Sequence, residues 1–511
     1  MIRATISTRA VAALTAVAAA CAFSAAAHAQ ATPVMSCDAK GIGSVQLKAD
    51  QPPKILEAAP ATAGKDAAAV PYCLVKVLVP EAINIWVSLP MDGKWNGKLQ
   101  SIGGGGYAGT VAAPAAPVLG GYVGVATDTG HTGADGTFGM KSPGVANKQL
   151  WVDFAYRSEH LMAVVGKQLA QAYYGKSPEL SYWNGCSTGG RQGLAMAQRF
   201  PDDYNGILAG APAIHWDRFQ AAQIWPQVAM LHENGGPVPA AKLAAVSAAA
   251  IEACDAQDGV KDGLLEDPRL CKFDAKSMVC AAGASGDSCL TPGEAAAVNR
   301  IWEGPKGHWY GLTPSTPVQQ MLAGAQPFMI SVSQPRYWVY LDPTWDWKQL
   351  TYDNYGKFFD DSVRAVGPVM GTDNPNLDAF RKHGGKIVLW HGWSDPGIMP
   401  EGTVDYYEKV VKRDGGKYAK TQEFARLFMA PGVGHCAGGA GPQPQAMFDA
   451  VVNWVEKGQA PESVTASKAL PEGGTRTRPL CPYPAVSTYK GSGSTDDASN
   501  FRCEVPKTAK R

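Results

Sequence analysis

The segment Gly185-Cys186-Ser187-Thr188-Gly189 constrains the fold more than any other stretch of this chain. It reads G-x-S-x-G, follows the apolar stretch Leu180 to Trp183, and leads into a helix-like run from Arg191 to Phe200. This is the sequence form of a nucleophile elbow, a strained strand-to-helix turn that lifts one serine hydroxyl to the top of an α/β sheet. Glycines flank Ser187 because a Cβ in so tight a turn would strike neighbouring backbone. The same five-residue pattern arises by chance in a chain with 57 glycines, so a base, an acid and a sheet must be found elsewhere.

The two ends and the composition narrow the class. Arg3 and Arg9 form a short basic region, Val11 to Phe23 is apolar, and Ala27-His28-Ala29 is an A-x-A cleavage site, so residues 1–29 read as a secretory signal peptide. Ala18-Ala19-Ala20-Cys21 is a poor lipobox, and no later apolar run is long enough to span a bilayer. The expected localisation is secreted or periplasmic. A net charge of +1 argues against nucleic acid or an anionic membrane as partner. At 511 residues, one large domain with a substantial insertion, or two domains, is expected.

Removing Cys21 with the signal takes eleven cysteines to ten, an even number in an oxidising compartment. Local spacing suggests Cys37–Cys73, Cys254–Cys271, Cys280–Cys289 and Cys481–Cys503, and elimination leaves Cys186 with Cys436.

From residue 37 to about 212 the chain reads as alternating strands and helices. Ile83 to Leu89 alternates, Lys98 to Ile102 ends in a glycine run, Tyr122 to Ala126 is a short buried strand, and His160 to Tyr174 has helical spacing. This βαβ rhythm predicts a mostly parallel sheet covered by helices. It breaks down between about 213 and 374, where Pro, Trp and Cys crowd together. It resumes at Lys386 to Trp390, Arg426 to Met429 and the amphipathic run Gln443 to Glu456. The reading is an α/β core of residues 30–212 and 375–511, interrupted by a lid of residues 213–374.

A serine nucleophile needs a base within reach and an acid to orient that base. In α/β-hydrolases they follow in the order Ser, acid, His, each just past a strand. Asp395 follows the strand Lys386 to Trp390, and His435 follows Arg426 to Met429, so both occupy the expected places. His391 sits before the acid, in the wrong order for the base, and reads as structural. An oxyanion needs two N–H donors. Thr188 is one; Gly104 or Gly105, in the turn Gly103 to Gly106, is the other. Trp393 and Ile398, beside the acid, are candidates for a substrate-pocket wall.

Other motifs carry less. Gly104-x-Gly106-x-x-Gly109 matches the dinucleotide fingerprint, but Pro114 and Pro117 argue against the helix it would need, so no organic cofactor is expected. Asp255, Asp258 and Asp262 lie in a glycine-containing loop bracketed by Cys254 and Cys271, and read either as a solvated acidic turn or as hard oxygen ligands for calcium. Seven of the fourteen Trp lie between Trp216 and Trp347, as the lid's own core with a few free to face a cleft. Arg336 is a candidate partner for a substrate carboxylate.

Gly185-Cys186-Ser187, Asp395 and His435-Cys436 together resemble the serine-cysteine, aspartate, histidine-cysteine pattern of the tannase/feruloyl esterase family. The segment Gly206 to Pro212, the Asp255 to Leu264 loop and the ten mature cysteines are also similar to it. The resemblance spans nearly the whole mature chain. It implies an α/β-hydrolase core with a lid inserted after the elbow, and a Cys186–Cys436 disulfide tying the nucleophile loop to the base loop. It also implies a structural calcium ion in the lid on Asp255, Asp258 and Asp262 with the carbonyls of Val260 and Leu264. The family includes tannases, feruloyl esterases and the hydrolase of mono(2-hydroxyethyl) terephthalate. The implied activity is serine esterase action on aromatic esters, hydroxycinnamoyl first and galloyl or terephthalate monoester second, including phenolic esters on plant polysaccharide or polyphenol. A secreted serine peptidase and a non-catalytic glycan binder are the readings outside that class.

Overall fold

The computed structural model describes residues 32–506, apart from 92, 319–321 and 323. The expected signal peptide, residues 1–29, lies outside the described residues.

Nine strands form the central sheet: β1 (Lys54–Ala63), β2 (Val70–Val79), β3 (Ile83–Pro90), β4 (Lys98–Ile102), β5 (Val123–Thr127), β6 (Leu180–Cys186), β7 (Gly206–Gly210), β8 (Lys386–Gly392) and β9 (Ala425–Ala430). Their order is β1-β2-β3-β5-β4-β6-β7-β8-β9. The six strands from β5 to β9 in that order are mutually parallel. The front of the sheet departs from the expected βαβ rhythm, because β1, β2 and β3 form an antiparallel meander joined to β5. Short turns rather than crossover helices connect them. The alternation in β2 and β3 is nonetheless a clean period of two: Val75, Val77 and Val79, and Ile83, Ile85, Val87 and Leu89, are all fully buried.

The parallel strands are covered on both faces. Alternate residues separate into two cores, with Ile207, Leu389 and Leu427 on one side and Leu208, Val388 and Phe428 on the other. Helices α1 (Ser158–Tyr174), α2 (Thr188–Arg199) and α3 (Pro400–Arg413) pack on the first side. Helix α4 (Met447–Lys457) packs on the second through Met447, Val451 and Trp454. The expected helix from Gln443 starts four residues later, because Gln443 pairs instead with Ser467 in an isolated bridge. A five-residue helix does form at Ala115–Leu119 despite Pro117.

Most of residues 213–370 gather around a third core rich in Trp, including Trp216, Trp225, Trp338, Trp345 and Trp347. Tyr107, Trp151 and Phe154 from the sheet-bearing part join this core, so the insertion is not packed on itself alone. Its two connections run side by side, since the Thr372 N–H and hydroxyl both donate to the Ile214 carbonyl, at 3.2 and 3.1 Å. All five expected disulfides are present, Cys37–Cys73, Cys186–Cys436, Cys254–Cys271, Cys280–Cys289 and Cys481–Cys503.

Candidate active site

The loops after β4, β6, β8 and β9 all leave the carboxyl edge of the parallel sheet, where the field of strand ends and helix N-termini converges. Ser187 sits between β6 and α2 with φ 63° and ψ −124°, a conformation a side-chain-bearing residue holds only when its surroundings force it. Those surroundings are explicit. The Ser187 N–H donates to the Gly210 carbonyl at 2.9 Å, and its own carbonyl accepts from Arg191 and Ala213, each at 3.1 Å. A Cβ on Gly185 would lie 2.5 Å from the Gly189 carbonyl carbon, and one on Gly103 would lie 2.5 Å from Gly189 Cα. The glycine turn after β4 is thereby pressed against the elbow.

The Ser187 hydroxyl reaches His435 Nε2 at 2.9 Å, and His435 Nδ1 reaches Asp395 Oδ2 at 2.7 Å. The acid and base loops are joined through backbone, with Ser394 N–H donating to the Val433 carbonyl at 3.0 Å. Asp395 is fully buried and fully engaged. Its Oδ1 accepts from the Gly397 and Ile398 N–H groups at 2.7 and 2.9 Å, and its Oδ2 also accepts from His391 Nε2 at 3.0 Å. Burial opposes its ionisation, but the charge on His435 and the two imidazole donors hold the carboxyl below its ordinary range. Burial likewise opposes a charged His435, yet the Asp395 carboxylate raises its pKa above the ordinary 6.5.

The candidate oxyanion donors separate. Gly104 N–H is committed to Gln192 Oε1 at 2.9 Å, which corrects Gly104 as a donor. Gly105 N–H and Thr188 N–H have no protein acceptor among the described residues, and the Cβ position of Gly105 faces open space. The Thr188 hydroxyl bonds the Gly106 carbonyl and clips α2 to the glycine turn. The residue missed by sequence reasoning is therefore Gln192, whose amide also bonds Glu159. Burial pushes the Glu159 carboxyl up to about 7. Nothing in the linear chain marked it, because its contact with Gly104 joins residues 88 apart in sequence.

Trp393 and Ile398 are not placed as expected. Trp393 is buried, and its ring lies beneath the Arg269 guanidinium at 4.8 Å, in a cavity of about 460 Å³ whose lining includes none of Ser187, Asp395 and His435. Ile398 contributes its N–H to Asp395, while its buried side chain packs in the seam beside Pro212, His215 and Trp309. The reasons differ: Ile398 is drawn inward because its N–H and that of Gly397 cap the Asp395 carboxylate, whereas Trp393, two residues ahead of the acid, faces the Arg269 side of the loop, away from Ser187 and His435. Arg336 donates its Nε to the Trp345 carbonyl at 2.9 Å within the lid.

In the acidic loop, Asp255 accepts from the N–H groups of Asp262 and Gly263, Asp258 from Val260 and Glu266, and Asp262 from Leu264 and the Arg478 side chain. Burial, and then neighbouring carboxylates, push Asp258 up to about 6 and Glu266 up to about 8. Among the described residues no three His, Cys, Asp or Glu side chains are drawn together into a group that could hold a metal ion. No donor reaches the Val260 or Leu264 carbonyl among the described residues.

Fold and site together define an α/β-hydrolase with a Ser–His–Asp chain at the carboxyl edge of its sheet. The family model for tannase and feruloyl esterase matches residues 73–326 and 323–504. A probable feruloyl esterase of Arthroderma benhamiae is 38% identical over 448 residues, with 82% of each chain covered. Mono(2-hydroxyethyl) terephthalate hydrolase of Piscinibacter sakaiensis is 30% identical over 543 residues, covering 88% of this chain and 87% of that one. The crystal structure of feruloyl esterase B from Aspergillus oryzae has a TM-score of 0.81 at 27% identity, covering 90% of this chain and 98% of that chain. The chain belongs to the tannase and feruloyl esterase family, and it is a carboxylic ester hydrolase.

Proposed function

We propose that this protein is an exported serine esterase that cleaves esters of aromatic carboxylic acids, with hydroxycinnamate esters as its main substrates. The observation that carries this reading is the continuous chain from Ser187 Oγ to His435 to Asp395, at 2.9 and 2.7 Å. His435 takes the hydroxyl proton as Ser187 attacks the ester carbonyl, and Asp395 holds the imidazole in the required tautomer. The developing oxyanion is met by the Thr188 and Gly105 N–H groups, helped by the N-terminus of α2. His435 then passes its proton to the departing alkoxide, leaving an acyl-Ser187 ester. Water, deprotonated by the same imidazole, releases the acid. The fungal relatives named for feruloyl ester cleavage support the hydroxycinnamoyl preference. The engagement of Arg336 by Trp345 weighs against it as a clamp for a terephthalate monoester.

The signal-like N-terminus supports export, and among the described residues no helix is long and apolar enough to cross a membrane. The acidic loop is proposed to bind a structural calcium ion. Its support is the donor set: three aspartates in one loop, of which Asp258 is pushed up by burial first and by Asp262 and Asp255 after it, beside two carbonyls without donors. Asp255, Asp258 and Asp262 would have to draw together to hold it, and the ion would supply charge neutralisation to the loop rather than any chemical step.

Replacing Ser187 with Ala is expected to lower turnover of methyl ferulate by at least about 10³-fold with the melting temperature retained. Measured turnover near wild type would refute the nucleophile. A panel of methyl ferulate, methyl gallate, a terephthalate monoester and a peptide amide ranks the substrates. Preference for the amide would replace the esterase reading with a peptidase.

A further inference from the structure

The acid of the site has two histidine partners, and only one of them is needed to complete a triad. His391, the last-but-one residue of β8, is fully buried and sits four residues before Asp395. Its Nε2 lies 3.0 Å from Asp395 Oδ2, the same oxygen that receives His435 Nδ1 at 2.7 Å. Its Nδ1 lies 2.8 Å from the hydroxyl of Thr403 on α3. A carboxylate oxygen can only accept, so His391 must donate through Nε2. In the neutral ring Nδ1 then becomes the acceptor, and the Thr403 hydroxyl, which can donate or accept, satisfies it as a donor and holds the ring in place. Both Asp395 oxygens thus carry two donors each, and none is left to solvent.

We infer that His391 is a positioning residue for the reaction: its Nε2–H, with the ring held at Nδ1 by the Thr403 hydroxyl, locks the Asp395 carboxylate in plane with His435 and shares the negative charge that His435 feels. The inference rests on the triad reading above. The ionisable groups meeting this carboxylate are His391 from β8 and His435 from the loop after β9. The loop after Asp395 contributes only neutral N–H groups, and α3 touches the His391 ring through the neutral Thr403 hydroxyl. Two consequences follow from geometry and charge. Without the second donor, the carboxylate can rotate away from the line between Oδ2 and Nδ1, so the chemical step slows while substrate binding is untouched. The charge no longer shared is concentrated on His435, so the imidazolium becomes harder to deprotonate and the acid limb of the rate profile moves to higher pH.

The test compares His391→Leu, His391→Gln and Thr403→Val with the full-length wild-type enzyme on methyl ferulate, with labelling of Ser187 by a fluorophosphonate read in parallel. His391→Leu is expected to lower kcat by about 10²-fold, with KM changed by less than about 3-fold and the acid limb moved up by about half a pH unit. His391→Gln, whose amide N–H can replace the imidazole donor, is expected to restore most of that kcat and return the acid limb to its wild-type position. Thr403→Val is expected to lower kcat by about 3–10-fold at unchanged KM. A Leu variant with wild-type kcat and acid limb overturns the inference, as does a folded Gln variant as impaired as Leu. Should the Leu variant not fold, Thr403→Val decides, and unchanged kcat in it overturns the inference. Failure of wild-type Ser187 to label sinks the triad reading itself; labelling of wild type with no effect in the variants sinks only the role of His391.

Discussion

Single residues at this site are held by complete donor accounting rather than by strength of any one bond. Asp395 is the clearest case, since a buried carboxylate short of one donor would cost about 1–3 kcal/mol or more, and all its acceptor positions are filled. The charge so preserved raises the His435 pKa above 6.5. Because His435 must be neutral to accept the Ser187 proton, kcat/KM is expected to fall on the acid side through a pKa above that ordinary value. A profile on a soluble ester that still runs at full rate well below pH 6 would contradict it. The linkage to folding has the opposite sense: a raised histidine pKa contributes stability that is complete below 6.5 and is lost as pH climbs through the folded value. Gln192 belongs to the same scale. By occupying the Gly104 N–H, while the Asn184 carbonyl takes that of Gly103, it removes Gly104 from the two candidate donors and leaves Gly105.

At the scale of elements, the informative unit is the acidic loop. Leu264 packs against Gly432 in the loop that carries His435, and a Cβ on Gly432 would lie 2.5 Å from Leu264 Cδ2. Arg476 and Arg478, from the C-terminal strand Thr475–Leu480, hold the Asp262 carbonyl and carboxylate. The loop therefore joins the insertion, the base loop and the C-terminal arm. An ion bound there would stabilise this junction by mass action, and about 2.7 kcal/mol is available at 100 times the dissociation constant. With calcium proposed to bind here, EDTA is expected to lower the melting temperature by roughly 2–8 °C while kcat at 25 °C changes by less than about 2-fold. Asp258→Asn should lose most of that EDTA response. Calorimetric scans indistinguishable with and without chelator, after calcium is shown to have been removed, would dispose of the site.

For the molecule as a whole, the functional problem is to keep groups from distant parts of the chain in register. Ser187 and His435 are separated by 248 residues, yet the Cys186–Cys436 bond closes a loop of 250 residues immediately beside both. In chain-entropy terms such a closure contributes at most about 5 kcal/mol, with native-state strain reducing it. Its geometric role is larger, because the reacting atoms must be held to a fraction of an ångström. A Cys186→Ala/Cys436→Ala double variant is expected to melt lower and to lose kcat more than it gains in KM. Wild-type kcat in that folded variant would show that the sheet alone aligns the two loops. The insertion shares its Trp-rich core with Tyr107, Trp151 and Phe154, so it is coupled to the glycine turn and to the approach to α1 rather than hinged freely.

The identity of the elbow, the order of acid and base, the parallel half of the sheet and the cysteine partners were all legible in the linear chain. Each is written as a local pattern: glycines around Ser187, a strand ahead of Asp395 and of His435, and short spacings between four of the cysteine pairs. The antiparallel front of the sheet was not, because alternation in Val70 to Val79 sets a strand but leaves its direction to turn geometry. Nor was the fate of Trp393, Ile398 and Gly104. Which way a side chain faces, and which N–H remains free, depends on what other segments bring to it: Arg269 over Trp393, the carboxylate of Asp395 against the Ile398 N–H, and Gln192 against Gly104. Residue type and spacing determined what chemistry this protein carries; only the packed tertiary structure decided which atoms are left to perform it, because hydrogen-bond capacity is spent locally but allocated by contacts far apart in sequence.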